Sequence, residues 1–357
     1  MVKFNLFFRF LSVDKCRVSL FIFLNILVSC RTHNEQTPTG KSTEITAVQD
    51  TGKSLHHIRL LPYWVPSAQF AGYYVGIEKG IFEKHGISLE ILPFDAQKSA
   101  ASAIKDENPD FAILWLVNAM EVRDKGVDIV NIAQFSSRSS LMLITKKSSG
   151  ISKIEDMNGK KAAIWIGFEQ QPRLLFGKYK LNVEMIPIGS SNSLFLQDGV
   201  DIINANWFDE YHSVLNNGIG EDELNKFFFA DYGFNFLEDG LYCLNEKMRE
   251  DPGLCRNFAE AVIESWNYAF SHEDEAIGIV IKYAKAHNQP VNKSHQTWML
   301  KAYKTLYIPA GKDSINTQLT RNDYEINQQL MLDSRLLTRY IPYDSIYKPC
   351  LGSNINR

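Results

Sequence analysis

Residues 57–91 read HIRLLPYWVPSAQFAGYYVGIEKGIFEKHGISLEI, and the class of fold can be predicted from them. It begins with HIRLLPYW (57–64), an apolar run typical of a buried strand. Ser67 then offers an N-cap to a helix whose apolar residues recur at helical spacing. A second apolar run, ISLEILPF (87–94), follows two glycines that end the helix. The stretch therefore predicts a strand, a helix and a second strand.

The same alternation continues through most of the chain and predicts an α/β fold with mainly parallel sheets and helices on both faces. The series of strands restarts after the polar run SSRSS (136–140). We therefore expect two doubly wound lobes with a cleft between them. Residues 57–140 together with 234–345 are predicted to form the first, discontinuous lobe, and residues 141–233 the second.

The N-terminal segment has the pattern of an export signal. An apolar run at 18–28 follows several basic residues and is too short to cross a bilayer of about 30 Å. The tetrapeptide Leu-Val-Ser-Cys that ends at Cys30 resembles the bacterial lipobox. This predicts a lipoprotein signal peptide at 1–29, a lipidated Cys30 and a polar tether at 30–56, with the protein anchored at the extracytoplasmic face of a bacterial membrane. The alternative is a plain signal peptide with an incidental cysteine.

The composition argues against several other classes of protein. The formal net charge is -3 and the basic residues form no stripe, so nucleic-acid binding is not expected. Catalytic motifs and metal-ligand spacings are missing from the sequence, so we predict no metal, no cofactor and no enzymatic activity. Beyond Cys30 the mature chain has Cys243, Cys255 and Cys350, and a disulfide between Cys243 and Cys255 is left open.

Four of the six tryptophans lie at or just beyond the carboxyl end of a predicted strand, the edge at which open α/β sheets bind ligands: Trp64, Trp115, Trp165 and Trp207. Two come from each lobe, so they could form an aromatic clamp around a planar ring. The alternative for each indole is packing beneath a helix. We expect the other two, Trp266 and Trp298, to be core residues because they lie in helical patterns.

Polar side chains cluster near the same strand ends, and the predicted contacts are Gln69 at the start of the first helix, Ser136 and Ser139 at the lobe crossing, and Asn206 and Glu210 around Trp207. The N–H groups at the start of the first helix, beside Pro66 and Ser67, could hold an anionic or carbonyl oxygen. Glu210 is the strongest candidate because a carboxylate accepts hydrogen bonds from an amine or a ring N–H. Its alternative role is to stabilise the first turn of a helix.

The stretch at 64–91 also resembles the NMT1-like periplasmic binding proteins, the receptors of ABC importers for thiamine pyrimidine precursors, with relatives for riboflavin, alkanesulfonates and taurine. The resemblance rests on Trp64, Pro66, Q-F-A-G-Y-Y at 69–74, Lys79-Gly80 and His85-Gly86. Weaker agreement at 126–164, 199–218 and 231–246 extends it over roughly 57–310.

This resemblance implies a type II binding-protein fold that closes around its ligand by a hinge motion. It implies a substrate-binding lipoprotein, expected to be a monomer, that delivers a hydroxymethyl- or formylamino-pyrimidine to a permease. Tyr73 and Tyr232 complete the predicted ligand contacts. Three alternatives stay open: a receptor for riboflavin, an alkanesulfonate or taurine; a pyrimidine synthase-like enzyme; and a sensory module. The cysteine-rich cluster of the eukaryotic synthase branch is missing here, which argues against the enzyme.

Overall fold

The computed structural model describes residues 54–95, 97–189 and 191–352. The predicted signal peptide, Cys30 and the tether up to residue 53 lie outside these ranges. Within them, none of the helices combines the length and the apolar character needed to cross a membrane.

The first lobe is built on a five-stranded sheet whose order is β2-β1-β3-β10-β4. Strand β10 runs antiparallel to both of its neighbours, whereas β1 pairs in parallel with β2 and β3. The strands are β1 His56–Leu61, β2 Ile87–Ile91, β3 Phe111–Leu114, β4 Ile129–Gln134 and β10 Gly240–Leu244.

The second lobe is built on a sheet of the same design, in the order β7-β6-β8-β5-β9. Its antiparallel strand is β5, which follows the crossing from the first lobe just as β10 follows the return crossing. The strands are β5 Leu141–Lys146, β6 Lys161–Trp165, β7 Glu184–Ile188, β8 Ile202–Asn206 and β9 Leu224–Phe228. The prediction of mainly parallel sheets therefore holds, with one antiparallel strand in each.

Helices connect the strands and cover the sheets. Those before the return crossing are α1 Ala71–Glu78, α2 Ile81–Lys84, α3 Ala100–Glu107, α4 Leu116–Asp124, α5 Gln170–Lys178, α6 Ser193–Leu196 and α7 Glu210–Asn216. Those after it are α8 Asn245–Glu250, α9 Pro252–Ser271, α10 Glu273–Ala286, α11 Lys293–Tyr307, α12 Arg321–Asp333 and α13 Tyr343–Ile346. The sequence pattern predicted α9, α10 and α11 but neither α12 nor β9.

Close packing of α1 on α9 forms the centre of the first lobe's core. Gly72 lies directly beneath the fully buried indole of Trp266, and a Cβ at this glycine would stand 2.5 Å from the indole ring. Trp266 is thus the core residue that its helical pattern predicted. One turn later, Gly76 meets Ser265 and Phe82 just as closely. These two glycines allow the helices to approach at a distance that larger residues would prevent.

The C-terminal tail covers the outer edge of β4. The backbone N–H groups of Lys348 and Cys350 donate to the carbonyls of Asn131 and Ile132 at 2.9 and 3.2 Å. An uncovered strand edge offers unpaired backbone groups to other chains, so the tail protects the first sheet. Cys243, Cys255 and Cys350 are all free thiols, so the disulfide left open by the sequence is not formed in the structure.

Candidate ligand-binding site

A cavity of about 920 Å³ lies between the lobes, at the carboxyl ends of six strands: β1, β2 and β3 from the first sheet, and β6, β7 and β8 from the second. Both lobes contribute to its wall. This is the edge at which parallel α/β sheets present their loops to a ligand. The tryptophans at the strand ends predicted a site at this edge.

Aromatic rings from both lobes line the cavity. From the first lobe come Tyr63, Trp64, Phe94 and Trp115, and from the second come Trp165, Phe168 and Phe208. The ring of Trp115 meets that of Phe168 edge-on, at 5.5 Å and 64°, across the cleft. Trp64 is 42% exposed and lies against Phe94 with ring centroids 5.3 Å apart. Such walls favour a flat, apolar-faced ligand.

Glu210 stands in the cavity wall at the first turn of α7. Its Oε2 accepts the backbone N–H of Asn206 at 2.7 Å, so it also holds the end of β8. Burial and, to a lesser extent, the neighbouring charge of Asp209 raise the pKa of Glu210 to about 8. At neutral pH Glu210 is therefore largely a neutral acid, which can donate one hydrogen bond and accept another.

Four buried polar atoms of cavity-lining residues have no hydrogen-bond partner within the described part of the protein. Two are donors, the indole N–H groups of Trp115 and Trp165; two are acceptors, the side-chain carbonyls of Gln171 and Asn192. Buried polar groups are normally paired, and leaving one unpaired costs about 1–3 kcal/mol. The arrangement fits a ligand that carries both acceptors and donors.

The charges around the cavity are mostly negative. Three carboxylates line it, those of Asp95, Glu107 and Asp209, whereas Lys98 is the single cation among the lining residues that the structure describes. The ammonium of Lys98 is already paired, at 2.8 Å from Glu107 and 3.3 Å from Asp106. The described ranges contain no group of three or more histidine, cysteine or acidic side chains suited to a metal ion.

Six of the eleven residues that the sequence predicted as ligand contacts lie in the cavity wall: Trp64, Gln69, Trp115, Trp165, Asn206 and Glu210. Gln69 donates its amide N–H to the hydroxyl of Tyr63. The fourth strand-end tryptophan, Trp207, is not in the wall. Its ring turns toward α11 of the first lobe and meets Trp298 at 6.1 Å and 80°. Trp298 was predicted as a core residue, but it is only half-buried and lies where the two lobes meet.

Two predicted serine contacts belong instead to the crossing between the lobes. Ser136 and Ser139 are fully buried, and their hydroxyls donate to Glu238 of the return crossing, to its carbonyl and its Oε1 respectively. Ser140 adds two further bonds to the same carboxylate oxygen. The serines lie here because the two crossing segments are buried against each other. The polar groups of one segment must then bond to those of the other, so they are not left for a ligand.

The remaining predicted contacts also lie away from the cavity. Tyr73 is buried against Trp266 in the first core, at 6.2 Å. Tyr232 packs on Tyr179 in the second lobe, at 5.9 Å. The helix start near Ser67 is not free either, because the N–H of Ala68 donates to the side-chain carbonyl of Gln296 at 2.6 Å. These groups, predicted as ligand contacts, therefore pack against or bond to other parts of the protein.

Sequence reasoning missed several wall residues, chiefly Tyr63, Phe94, Phe168, Gln171 and Asn192. Phe94, Phe168 and Asn192 each follow a strand by a few residues. Their positions just beyond strand ends are the sequence signal that marks them as wall residues.

These features define a class of protein, a two-lobed α/β binding protein with a ligand cleft between its lobes. The periplasmic aliphatic sulphonate-binding protein SsuA from Escherichia coli has the same fold. Its TM-score is 0.65 at 13% identity, and the match covers 83% of this chain and 93% of that one. The fold is thus that of type II periplasmic binding proteins.

The chain belongs to the NMT1/THI5 like family, whose model matches residues 67–276. It is 20% identical to the riboflavin-binding protein RibY of Chloroflexus aurantiacus over 272 residues, 73% of this chain and 76% of that protein. It is 21% identical to the formylaminopyrimidine-binding protein of Halalkalibacterium halodurans over 296 residues, 77% and 80% of the two chains. The chain is accordingly a substrate-binding protein of this family.

Proposed function

We propose that the protein is the substrate-binding component of an ABC importer and captures a neutral, planar nitrogen heterocycle, in the first place an aminopyrimidine precursor of thiamine. The observation that carries the proposal is the set of unpartnered polar atoms in the aromatic cavity that Glu210 also lines. A neutral carboxyl group offers one donor and one acceptor side by side. A ring nitrogen can accept a hydrogen bond from the carboxyl O–H, and an adjacent amino group can donate one to the carboxyl C=O.

The charges of the cavity wall favour this ligand over a sulfonate. A sulfonate is a permanent anion and needs cations or several free donors around it. The only cation in the described wall, Lys98, is already paired with two carboxylates. An acidic wall would repel the anion, so taurine and alkanesulfonates are disfavoured despite the shared fold.

The same lysine argues against a synthase. An enzyme that joins a carbonyl substrate to an amine needs a neutral lysine in its site. The hydrogen bond from Lys98 to Glu107 raises the pKa of Lys98, so its amine stays protonated at neutral pH. Lys98, the lysine of the described cavity wall, is thereby kept as an ammonium group, which cannot attack a carbonyl carbon.

A flavin is the second candidate, and the size of the cavity favours it. At about 920 Å³ the cavity lies near the upper end of the range of about 300–1,000 Å³ found for small-molecule sites. It exceeds what a single pyrimidine ring requires, although closure of the lobes would reduce it. The similarity to RibY fits this candidate as well.

The location and partners follow from the same proposal. A receptor of this kind works outside the cytoplasmic membrane and hands its ligand to a permease. The lipobox ending at Cys30 would supply the anchor, and a monomer is sufficient because one chain forms the whole cleft.

Isothermal titration calorimetry of the purified chain with four compounds tests the proposal: hydroxymethylpyrimidine, formylaminopyrimidine, riboflavin and taurine. We expect saturable 1:1 binding of at least one heterocycle and no heat from taurine beyond dilution. Binding of taurine alone, or of none of the three heterocycles, would reject the proposed ligand class.

A further inference from the structure

Helix α7 contributes a row of polar side chains to the cavity wall. Asp209, Ser213 and Asn217 all line the cavity and follow one another at every fourth position. The N–H of Ser213 donates to the carbonyl of Asp209 at 3.1 Å, so the helical turn includes Asp209. Side chains at this spacing lie on one face of a helix, one turn apart. Because each residue advances a helix by about 1.5 Å, the row is about 12 Å long.

Asn192, which directly precedes α6, widens this row. It lines the cavity, and its amide nitrogen donates to the hydroxyl of Ser213 at 3.3 Å. The amide nitrogen of Asn217 donates to the backbone carbonyl of Ser213 at 2.7 Å. These bonds use a donor of each amide and hold both side chains beside Ser213. We call the four residues together the polar corner: Asn192, Asp209, Ser213 and Asn217.

The polar corner keeps hydrogen-bond acceptors for a ligand. The side-chain carbonyl of Asn192 is buried and has no partner among the residues that the structure describes. Nε2 of His295 lies 2.9 Å from Oδ1 of Asp209, which leaves Oδ2 of this carboxylate for another donor. The hydroxyl of Ser213 accepts from Asn192 and keeps its own proton to donate. A group bound here must therefore donate hydrogen bonds as well as accept them.

Hydroxyl groups have this combination, because each one donates one hydrogen bond and accepts others. An anionic group would not fit. A phosphate presents mainly acceptors, so its oxygens would face the free acceptors of Asn192 and Asp209. The single cation of the described cavity wall, Lys98, belongs to the first lobe and is paired with two acids. Burial of a charge without a partner is costly, so we expect the group bound in the polar corner to be uncharged.

The polar corner begins where the proposed ring contact lies. Glu210 stands in the first turn of α7, directly after Asp209 and three residues before Ser213. A substituent on a ring that bonds to Glu210 can therefore extend along the row of α7. The cavity, at about 920 Å³, has room for a ring together with such a substituent.

We propose that the polar corner binds an uncharged, hydroxylated substituent of the ring, either a sugar, as in a nucleoside, or a sugar-alcohol chain, as in a flavin. The inference rests on the proposed function, because the ring itself must lie in the same cavity. Two consequences follow for selectivity. A ring with such a substituent binds more tightly than the bare ring, and its phosphorylated form binds more weakly.

Calorimetry of the full chain with two matched sets of compounds tests this inference. The first set is lumiflavin, riboflavin and flavin mononucleotide, and the second is 1-methylcytosine, cytidine and cytidine 5′-monophosphate. Within each set the ring is the same, and only the hydroxylated part and the phosphate differ. We expect riboflavin or cytidine to bind at least about 10-fold more tightly than both other members of its set. The set that shows this pattern identifies the substituent as a sugar alcohol or a sugar.

Asn192→Leu tests the role of the polar corner itself, because it removes the unpartnered acceptor at nearly constant size. The measured quantity is the ratio of the affinities for the hydroxylated compound and for its bare ring. We expect this ratio to fall about 10-fold in Asn192→Leu. In Trp165→Phe both affinities should fall by the same factor, since this residue belongs to the aromatic part of the wall. Asn216→Leu, at an exposed position of α7 outside the cavity wall, is the matched control and should keep the parent's ratio.

Several results would overturn the inference. In both sets the bare ring could bind as tightly as the hydroxylated compound, or the phosphorylated compound could do so. The ratio could also stay unchanged in Asn192→Leu, or none of the six compounds could bind. In each case the proposed function stands if hydroxymethylpyrimidine or another of the heterocycles binds, and it fails as well only if none of them does.

Discussion

The hydroxyl of Tyr63 donates to Oδ1 of Asp239 at 2.7 Å, and this bond joins the cavity wall to the crossing between the lobes. Tyr63 lines the cavity and also receives the amide N–H of Gln69, another wall residue. Asp239 is buried beside Glu238, which binds the serines of the first crossing. The crossing thus orients part of the ligand site as well as connecting the lobes.

Tyr63→Phe should destabilise the protein because it removes the hydroxyl bonded to Asp239. The carboxyl group of Asp239 would stay buried without the hydrogen bond that Tyr63 donates to its Oδ1. We expect a loss of about 1–3 kcal/mol in the free energy of unfolding, measured with urea. Tyr340→Phe is the matched control, since the Tyr340 hydroxyl bonds to Glu325 at an exposed site, and its loss should be under about 0.5 kcal/mol. Equal effects of the two changes would refute the role of Tyr63.

Glu238→Gln should change how stability depends on pH. Burial, with a smaller contribution from Asp239, raises the pKa of Glu238 to about 8, far above its ordinary value near 4.3. A raised carboxyl pKa adds stability at low pH, and this addition is lost as the pH rises toward 8. The variant stays neutral, so its stability relative to the parent should increase from pH 5 to about pH 8, by up to about 1.4 kcal/mol per pH unit, and then level off.

Urea unfolding curves at several pH values measure this difference. Asp239 and Glu210 are present in both proteins, so their effects largely cancel in the comparison. Glu246→Gln, at an exposed glutamate, should run parallel to the parent. A Glu238→Gln curve that is also parallel to the parent would show that Glu238 does not titrate as a buried acid.

Gly72→Ala should disrupt the packing of α1 on α9. The added methyl would lie 2.5 Å from the indole of Trp266, which is fully buried and cannot move aside easily. Overpacking of this kind costs about 1–3 kcal/mol. Gly278→Ala, at an exposed position of α10, meets nothing within 4 Å and should be neutral or stabilising by about 0.5–1 kcal/mol. Thermal unfolding of the two variants compares them, and similar melting temperatures would contradict the packing.

Trp165→Phe should weaken ligand binding, because it removes the indole N–H that has no partner in the described protein. Loss of this donor and of part of the stacking face should reduce affinity about 10-fold for whichever heterocycle binds. Tyr232→Phe is the control. The sequence predicted Tyr232 as a ligand contact, but its ring packs on Tyr179, away from the cavity. An unchanged affinity in Trp165→Phe, or an equal loss in Tyr232→Phe, would argue against the cavity as the site.

Much of the fold could be predicted from the sequence because buried strands and amphipathic helices leave clear patterns. The runs that predicted β3 and β5 are strongly apolar, and α9 repeats its apolar residues at helical spacing. The outer strand β9 was missed because it lies in LNKFF (224–228), where a lysine and an asparagine interrupt the run. Helix α12 was missed because two of its four buried residues, Asn327 and Gln328, are polar and interrupt the apolar pattern.

The site was harder to predict because sequence position does not determine which way a side chain points. Trp165 and Trp207 both follow strands of the second sheet, yet the first lines the cavity while the second turns toward α11. Ser139 has the chemistry of a ligand contact but bonds to Glu238, about a hundred residues away in the chain. Whether such a side chain contacts the ligand or another part of the protein depends on how segments distant in the sequence pack together.

A crystal structure of the protein with the heterocycle that binds in calorimetry tests the central claim most directly. We predict that the ring lies between the lobes, within 4 Å of Trp115 and Trp165, and that its nitrogen groups bond to Glu210. A ligand bound outside the cleft, or one held without contact to Glu210 or either indole, would contradict the account.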